Sequence, residues 1–327
     1  NHAERGGIWT VKRAIDFLET RDETRPFFLW TSFTKPHPPF DPCENYWRLY
    51  QNRDVPERVL GDWSKDRAST PQGYLAPTYL LNNMWRMTDA QRRDVVRAYY
   101  ACITQIDYSL GLLFARMREM GLLENTWILF TSDHGDMLGD HGMGAKTVFF
   151  EGASHVPLLI RPPARPFHDR AALAGTLDDR QVCLADIFPT VLSLAGVPMP
   201  DGPDGKNLLD TSGDDASNER VLYGNCNHEF FCVIRGDWKY HWTALGGAEL
   251  LFDLKQDPME QRNLAEAPLH REKREQLRTL LIEKGTTLAW DCVRSGKLEA
   301  GPAPEGPRSL YKWPGFHSIS IPTDVLH

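Results

Sequence analysis

The apolar run Trp127-Ile128-Leu129-Phe130 passes directly into Thr131-Ser132-Asp133-His134-Gly135-Asp136-Met137-Leu138-Gly139-Asp140-His141-Gly142-Met143-Gly144-Ala145-Lys146. A short unbroken apolar run bounded by turn residues reads as a buried strand. The chain that follows must leave the sheet as a polar, glycine-rich loop at the strand's carboxyl end, where open α/β sheets place their ligands. Asp133 and His134 offer a carboxylate and an imidazole, which suit a divalent ion. Lys146, beyond the glycines, can offset charge on a sulfuryl or phosphoryl group and its leaving oxygen. Gly142 and Gly144 would let the loop approach such a group closely. The combination points to hydrolysis of a charged ester.

Each of these residues also has a plainer reading. Asp133 and His134 could be ordinary turn residues, and Lys146 a solvated surface lysine. The strand-end position and the downstream lysine together favour the metal-and-anion reading. Two ligands do not hold a catalytic metal alone, so others must come from elsewhere. The imidazole nitrogen makes an all-oxygen calcium cage less certain and leaves room for manganese or zinc. His37, between Pro36 and Pro38, is held rigidly. It is either a structural histidine under the proline corner or a proton donor to a leaving group. His141, between Asp140 and Gly142, either joins the site or only braces the loop.

The remaining pattern predicts the frame. Ile8, Val11, Ile15 and Leu18 mark an amphipathic helix over 8–20. Phe27–Phe33 reads as a buried strand stopped by Pro36-His37-Pro38-Pro39. Residues 41–87 lack a sustained period and read as a surface excursion. Thr88 with Gln91 makes a capping box for a helix whose apolar face is Val96, Tyr99, Ile103, Ile106, Leu110, Leu113 and Met117, closed by Gly121. Val156–Ile160 is a further strand, and 184–195 a helix ended by Gly196. Strands alternating with helices predict an α/β fold with a mostly parallel sheet sandwiched by helices. Both His37 and the Asp133-His134 pair then fall at strand ends and could share one cleft.

Around Pro198–Asp215 the sequence turns Pro/Gly/Asp-rich, like a linker. Beyond it Val221–Gly224, Phe230–Arg235, Trp238–Trp242 and Leu250–Leu254 predict a smaller antiparallel sheet, followed by a charged helix over 268–288. The expected division is a main domain over 1–215, a small α+β subdomain over 216–290 and an extended tail over 291–327.

A chain of 327 residues with 41% hydrophobic and 25% charged residues can bury a large core. The net charge of −7 argues against nucleic acid as a partner. No apolar run approaches the ~20 residues that span a bilayer, so no membrane partner is expected. The six cysteines form no CxxC pair, which disfavours a zinc cluster. Free thiols are expected, with a Cys226–Cys232 disulfide as the minority alternative. Trp47, Trp63, Trp85 and Trp242 could line a sugar or aryl pocket, although buried packing is the expected use of most of them. Nothing at Asn1–Gly7 resembles an initiator methionine or a signal peptide, so the compartment stays open.

Several segments together resemble the sulfatase family within the alkaline-phosphatase superfamily. They are Arg25-Pro26-Phe27-Phe28-Leu29 through Pro36-His37-Pro38-Pro39-Phe40, Tyr99 through Asp107, and Asp133 through Lys146. Phe150-Glu151-Gly152-Ala153-Ser154-His155-Val156-Pro157-Leu158 and Asp186-Ile187-Phe188-Pro189-Thr190 add to them, as does Glu249–Leu254 with Asp257-Pro258. The resemblance implies an alkaline-phosphatase-like fold and a sulfuric-ester hydrolase. It implies that Asp133 and His134 are metal ligands and that Lys146 binds both the sulfate and the bridging oxygen. His37 would contact the sulfate or protonate the leaving group. Calcium is the first expectation for the metal and manganese the alternative. The family's nucleophile is a formylglycine, made from Cys or Ser in a Cys/Ser-x-Pro/Ala-x-Arg motif, and an Asp-Asp pair on the first strand completes the metal site.

Neither element occurs here: Cys43 precedes Glu-Asn-Tyr-Trp, Cys102 precedes Ile-Thr-Gln-Ile, and Asp178-Asp179 lies in the wrong part of the fold. The expectation is a C-terminal portion of a larger enzyme that does not turn over substrate alone. Asp133-His134, where many arylsulfatases have Asp-Asn, resembles the branch with choline sulfatases and phosphonate monoester hydrolases. His155 replaces an arginine frequent in relatives and could alter packing or substrate contacts. Three functions follow: a sulfatase acting on a sulfated small molecule or carbohydrate, a phosphonate monoester or phosphodiester hydrolase, and a non-catalytic protein of this fold. Any of them is compatible with an oligomer.

Overall fold

The computed structural model describes residues 2–64, 84, 87–163, 175–202, 204–210 and 220–302. The chain divides into two compact units. One comprises Asn1–Glu57, Arg86–Ser132 and Pro157–Leu177, the other Arg58–Trp85, Asp133–Val156 and Asp178–His327. Trp85, part of the 41–87 excursion, part of the 198–215 stretch and the tail beyond residue 302 lie outside the described residues.

In the first unit, helix α1 (His2–Thr20) packs on helix α3 (Asp89–Glu119), and the short helix α2 (Glu44–Tyr50) also lies against α3. The α1–α3 seam buries Val11, Ala14, Leu18, Leu113 and Met117. Helix α3 begins with the expected capping box: Thr88 accepts from the Gln91 amide while the Gln91 side chain accepts from the Thr88 amide. It ends where Gly121 takes the left-handed conformation, φ 71°. Its buried side differs from the predicted stripe, because α3 meets more than one neighbour. Arg92, Ala101, Cys102, Gln105 and Ser109 are buried, whereas Ile103 is exposed. Gln105 is accommodated because its carbonyl accepts the Cys43 amide at 3.1 Å ahead of α2. Helix α2 itself sits within residues predicted to be irregular.

Phe27, Leu29 and Phe33 point into the same seam while Phe28 and Trp30 stay exposed. That is strand-like alternation, but the segment is in no ladder among the described residues. Strands β1 (Ile128–Thr131) and β2 (Leu158–Arg161) pair antiparallel, Ile128 opposite Arg161 and Thr131 opposite Leu158. The prediction of parallel pairing is not met by this pair; an antiparallel strand is common beside otherwise parallel α/β sheets.

The second unit is built on a four-stranded antiparallel sheet, β3 (Val221–Cys226), β4 (Phe230–Arg235), β5 (Trp238–Thr243) and β6 (Glu249–Asp253), in sequence order. All four strands match predicted runs, because each is apolar, short and closed by turn residues. One face, with Phe231, Val233, Tyr240, Trp242 and Leu251, is covered by Leu277 and Leu281 of helix α6 (Arg271–Thr287) and by Trp290. The other, with Phe230, Leu250 and Phe252, is covered by Trp63, Met137, Met143, Val148, Phe150 and Ala153. The Asp133–Val156 segment is therefore a layer of this unit, so the contact pattern crosses the boundary at 215 that the sequence suggested. Close packing demands glycine at position 224, where a Cβ would lie 2.5 Å from the Phe149 ring.

Two further helices belong here, α4 (Glu151–Ser154) and α5 (Ile187–Leu194). Val293–Arg294 and Lys297–Leu298, β7 and β8, form a small hairpin after α6. None of the six cysteines is in a disulfide. Cys226 stands opposite Phe230 and Cys232 opposite Gly224 in the β3–β4 ladder, so the alternative disulfide does not form. Among the described residues no helix is long and apolar enough to cross a membrane.

Candidate active site

Asp133 and His134 leave the end of β1 as a folded pair. Asp133 Oδ1 accepts the backbone N–H of His134 at 3.0 Å. His134 Nδ1 lies 2.8 Å from the Gly135 carbonyl, so it carries the proton and donates. Its Nε2 lies 3.5 Å from Asp133 Oδ2. A carbonyl on the remote ring nitrogen is how metal-binding imidazoles are usually oriented. Asp133 is exposed and His134 partly so. The pair can hold a divalent ion between an oxygen and a nitrogen, but it is an incomplete donor set. Among the described residues no three His, Cys, Asp or Glu side chains converge to hold a metal.

Glycine is required between this pair and the core. A Cβ on Gly135 would lie 2.2 Å from the Gly152 carbonyl oxygen, and the Gly135 amide donates to the Ala153 carbonyl at 2.8 Å. The strand-end loop is thereby pressed onto α4. Met137, 1% exposed, sinks into the core and turns the chain back. The chain returns at Ala145, whose amide donates to Asp136 Oδ1 at 2.9 Å, and the next residue, Lys146, feels the charges of both Asp133 and Asp136. Burial lowers its pKa and these carboxylates only partly oppose the shift.

His141 is a brace. It is 2% exposed, its Nδ1 accepts the Gly61 amide at 3.1 Å, and its own amide donates to the Val59 carbonyl at 2.7 Å. Burial holds its pKa down at about 4, so it stays neutral. Trp63 stacks on Phe150 and, like Trp242, is core, not pocket lining. Trp47 is partly buried. None of these rings supplies an exposed platform for a sugar.

His37 lies in the first unit. Its Nδ1 is 2.8 Å from the Pro38 carbonyl and its amide donates to the Thr34 carbonyl at 3.1 Å. Lys35 ties the same turn through an ion pair with Asp41. The ring is partly buried, and its Nδ1 contact leaves Nε2 as the other ring nitrogen.

Cys102 and Cys232 are poor nucleophiles. Burial pushes the Cys102 thiol up to about 11 and the Cys232 thiol up to about 12.

Two participants escaped the sequence reading. Asp136 closes the loop through backbone amides, a role hinted at only by Asp two residues before an amide it can cap. Glu151 opens α4 and belongs to a buried charge cluster. Lys239 Nζ sits 2.6 Å from Glu151 Oε1 and 2.9 Å from Glu260 Oε1, and Glu260 Oε2 accepts the Glu151 amide at 2.7 Å. His155 Nδ1 lies 2.6 Å from Glu151 Oε2, so His155 packs against this cluster.

Comparison with known proteins decides the family. The sulfatase family profile matches residues 10–197, more than half of the chain. The chain belongs to the sulfatase family. A second profile, N-sulphoglucosamine sulphohydrolase C-terminal, matches residues 139–286. The chain is 35% identical over 285 residues to an arylsulfatase of Clostridium perfringens (strain 13 / Type A), covering 84% of this chain and 57% of that protein. It is 34% identical over 258 residues to a choline-sulfatase of Rhizobium meliloti (strain 1021), covering 76% of this chain and 48% of that one. The phosphonate monoester hydrolase of Agrobacterium radiobacter superposes with a TM-score of 0.70 at 26% identity, over 85% of this chain and 59% of that one. The chain thus spans about half the length of the curated relatives it matches. Its fold class is the α/β, alkaline-phosphatase-like one, with the small antiparallel sheet toward the C-terminus.

Proposed function

We propose that these residues form part of a sulfuric-ester hydrolase, with Asp133, His134 and Lys146 at its anion- and metal-binding centre. The observation that carries the reading is the match to the sulfatase family, with the Ala145 amide, one residue before Lys146, bonded back to Asp136 beside the Asp133-His134 pair. A partly desolvated ammonium is worth more against developing charge than one in water. Lys146 would bind a sulfate oxygen and offset the charge that grows on the departing alcohol oxygen. His37 would contact the sulfate or give its proton to that oxygen. Asp133 and His134 would hold a divalent ion, calcium first and manganese as the alternative, which supplies Lewis-acid polarisation of the sulfuryl group when bound.

The nucleophile in this proposal is a formylglycine from sequence outside these 327 residues, since no cysteine here stands in the required motif. The substrate class is a sulfated small molecule or carbohydrate. The choline-sulfatase relative and the sulphoglucosamine-type C-terminal match support that range.

A second reading is favoured by the phosphonate monoester hydrolase likeness and by histidine at 134. The two separate in parallel kcat/KM measurements on an aryl sulfate and an aryl phosphonate monoester, using the enzyme that contains this chain. The sulfatase reading expects the sulfate to be preferred. A much larger value for the phosphonate overturns it.

A further inference from the structure

One carboxylate oxygen closes the loop between the proposed metal pair and Lys146. Asp136 Oδ1 accepts the Leu138 amide at 2.9 Å and the Ala145 amide at 2.9 Å. Beside it the Met137 amide donates to the Ala145 carbonyl at 2.9 Å, and the Gly139 amide to the Met143 carbonyl at 2.7 Å. Both residues that donate to Asp136 have left-handed backbone, φ 48° at Leu138 and φ 55° at Ala145. Residues with a Cβ enter that region only when their surroundings hold them there. Asp136 supplies that hold at both ends of the loop. Met137 and Val148 anchor the flanks in the core, and buried His141 and Met143 hold the loop's tip. Lys146 follows Ala145 directly, and the charge of Asp136 acts on its ammonium.

We propose that Asp136 is a positioning residue: it locks the neck of the 136–145 loop and thereby fixes where Lys146 stands relative to Asp133 and His134. The consequence for catalysis rests on the sulfatase reading, whereas the locking does not. What matters is an acceptor that reaches two amides. An asparagine carbonyl can do this and an alanine cannot. A serine hydroxyl can serve the nearby Leu138 amide but is too short for Ala145.

The test compares Asp136→Ala, Asp136→Asn and Asp136→Ser in the full chain. Amide hydrogen exchange is followed at Leu138 and Ala145, and acetylation of Lys146 by an N-hydroxysuccinimide ester is followed by mass spectrometry. Exposed Lys255 serves as the internal control. Loss of the acceptor in Asp136→Ala should speed exchange at both amides about five- to tenfold. Acetylation of Lys146 should rise with it, and that of Lys255 should not. Asp136→Asn should restore slow exchange at both amides. Asp136→Ser should free Ala145 alone, which keeps the proposal exposed should the alanine variant not fold. Parental exchange and parental Lys146 reactivity in the alanine variant, or in the serine variant if alanine does not fold, would overturn the proposal. An asparagine variant as open as the alanine one would do the same. Adding inorganic sulfate to the parent separates the two readings. Failure of sulfate to slow Lys146 acetylation, with the neck effects intact, counts against the sulfatase reading and leaves the role of Asp136 standing.

Discussion

Lys146 and Lys239 belong to the same unit and are both withdrawn from water, yet their ammonium groups are pushed in opposite directions. Burial dominates at Lys146 and lowers its pKa, while Asp133 and Asp136 only moderate the shift. Burial acts on Lys239 as well, but Glu260 and Glu151 outweigh it and its pKa is raised. Lys239 is 0% exposed and bonded to two carboxylates, one of them equally buried. Its charge is spent inside the protein, where it ties β5 to α4 and to the turn at Glu260. In the sulfatase reading proposed above, the Lys146 ammonium would act on a substrate anion. The two lysines differ in direction because the two carboxylates bonded to Lys239 outweigh its burial.

The largest expected effect is on the structural side of this comparison. Lys239→Met leaves Glu151 and Glu260 buried around a lost cation, which should cost about 3–5 kcal/mol of stability. Urea unfolding would show it, and a near-neutral result would mean that Lys239 does not neutralise the pair. Gly135→Ala probes the contact that joins the two regions, since its Cβ would strike the Gly152 carbonyl. Relief of that overlap should cost about 1–3 kcal/mol. A variant with the parental denaturation midpoint would show that the strand-end loop is not pressed onto α4.

The pH dependence follows from the same cluster. Burial raises the Glu151 pKa, but His155 and Lys239 outweigh it and hold the carboxyl at about 2. A folded-state value below the unfolded one contributes stability that is complete above the unfolded pKa. That contribution, on the order of 1–3 kcal/mol, should be lost as pH falls from about 4.5 toward 2. Glu151→Gln should flatten this acid limb in urea titrations, and an unchanged slope would break the assignment. The effect of His155 is smaller and of opposite sense. Its raised pKa favours the fold below its ordinary value, and that contribution fades as pH rises through the raised one.

Much of this architecture was legible in local sequence. The four strands of the C-terminal sheet and the start of α3 follow from patterns whose causes lie within a few residues: alternation, turn residues and a capping box. The apolar run Trp127–Phe130 likewise marked β1 (Ile128–Thr131). What was not legible depends on partners distant in sequence. Lys239 reads as a surface residue until Glu151 and Glu260 are placed around it. Asp136 reads as one more loop acid until Ala145 comes back to meet it. Gln105 and Ser109 on α3 are buried because α3 has more than one neighbour, which a single helical stripe cannot express. The Phe27–Phe33 segment shows the reverse limit: period-two alternation predicts extended chain, and extended chain alone does not make a ladder.

The central claim is that Lys146 acts on the leaving oxygen of a sulfate ester. It is tested most directly by kcat for an aryl sulfate in the active enzyme containing this chain, with and without Lys146→Ala. Removal of one preorganised charge should lower kcat by on the order of 10²–10³. A kcat equal to that of the parent would show that Lys146 is a surface lysine after all.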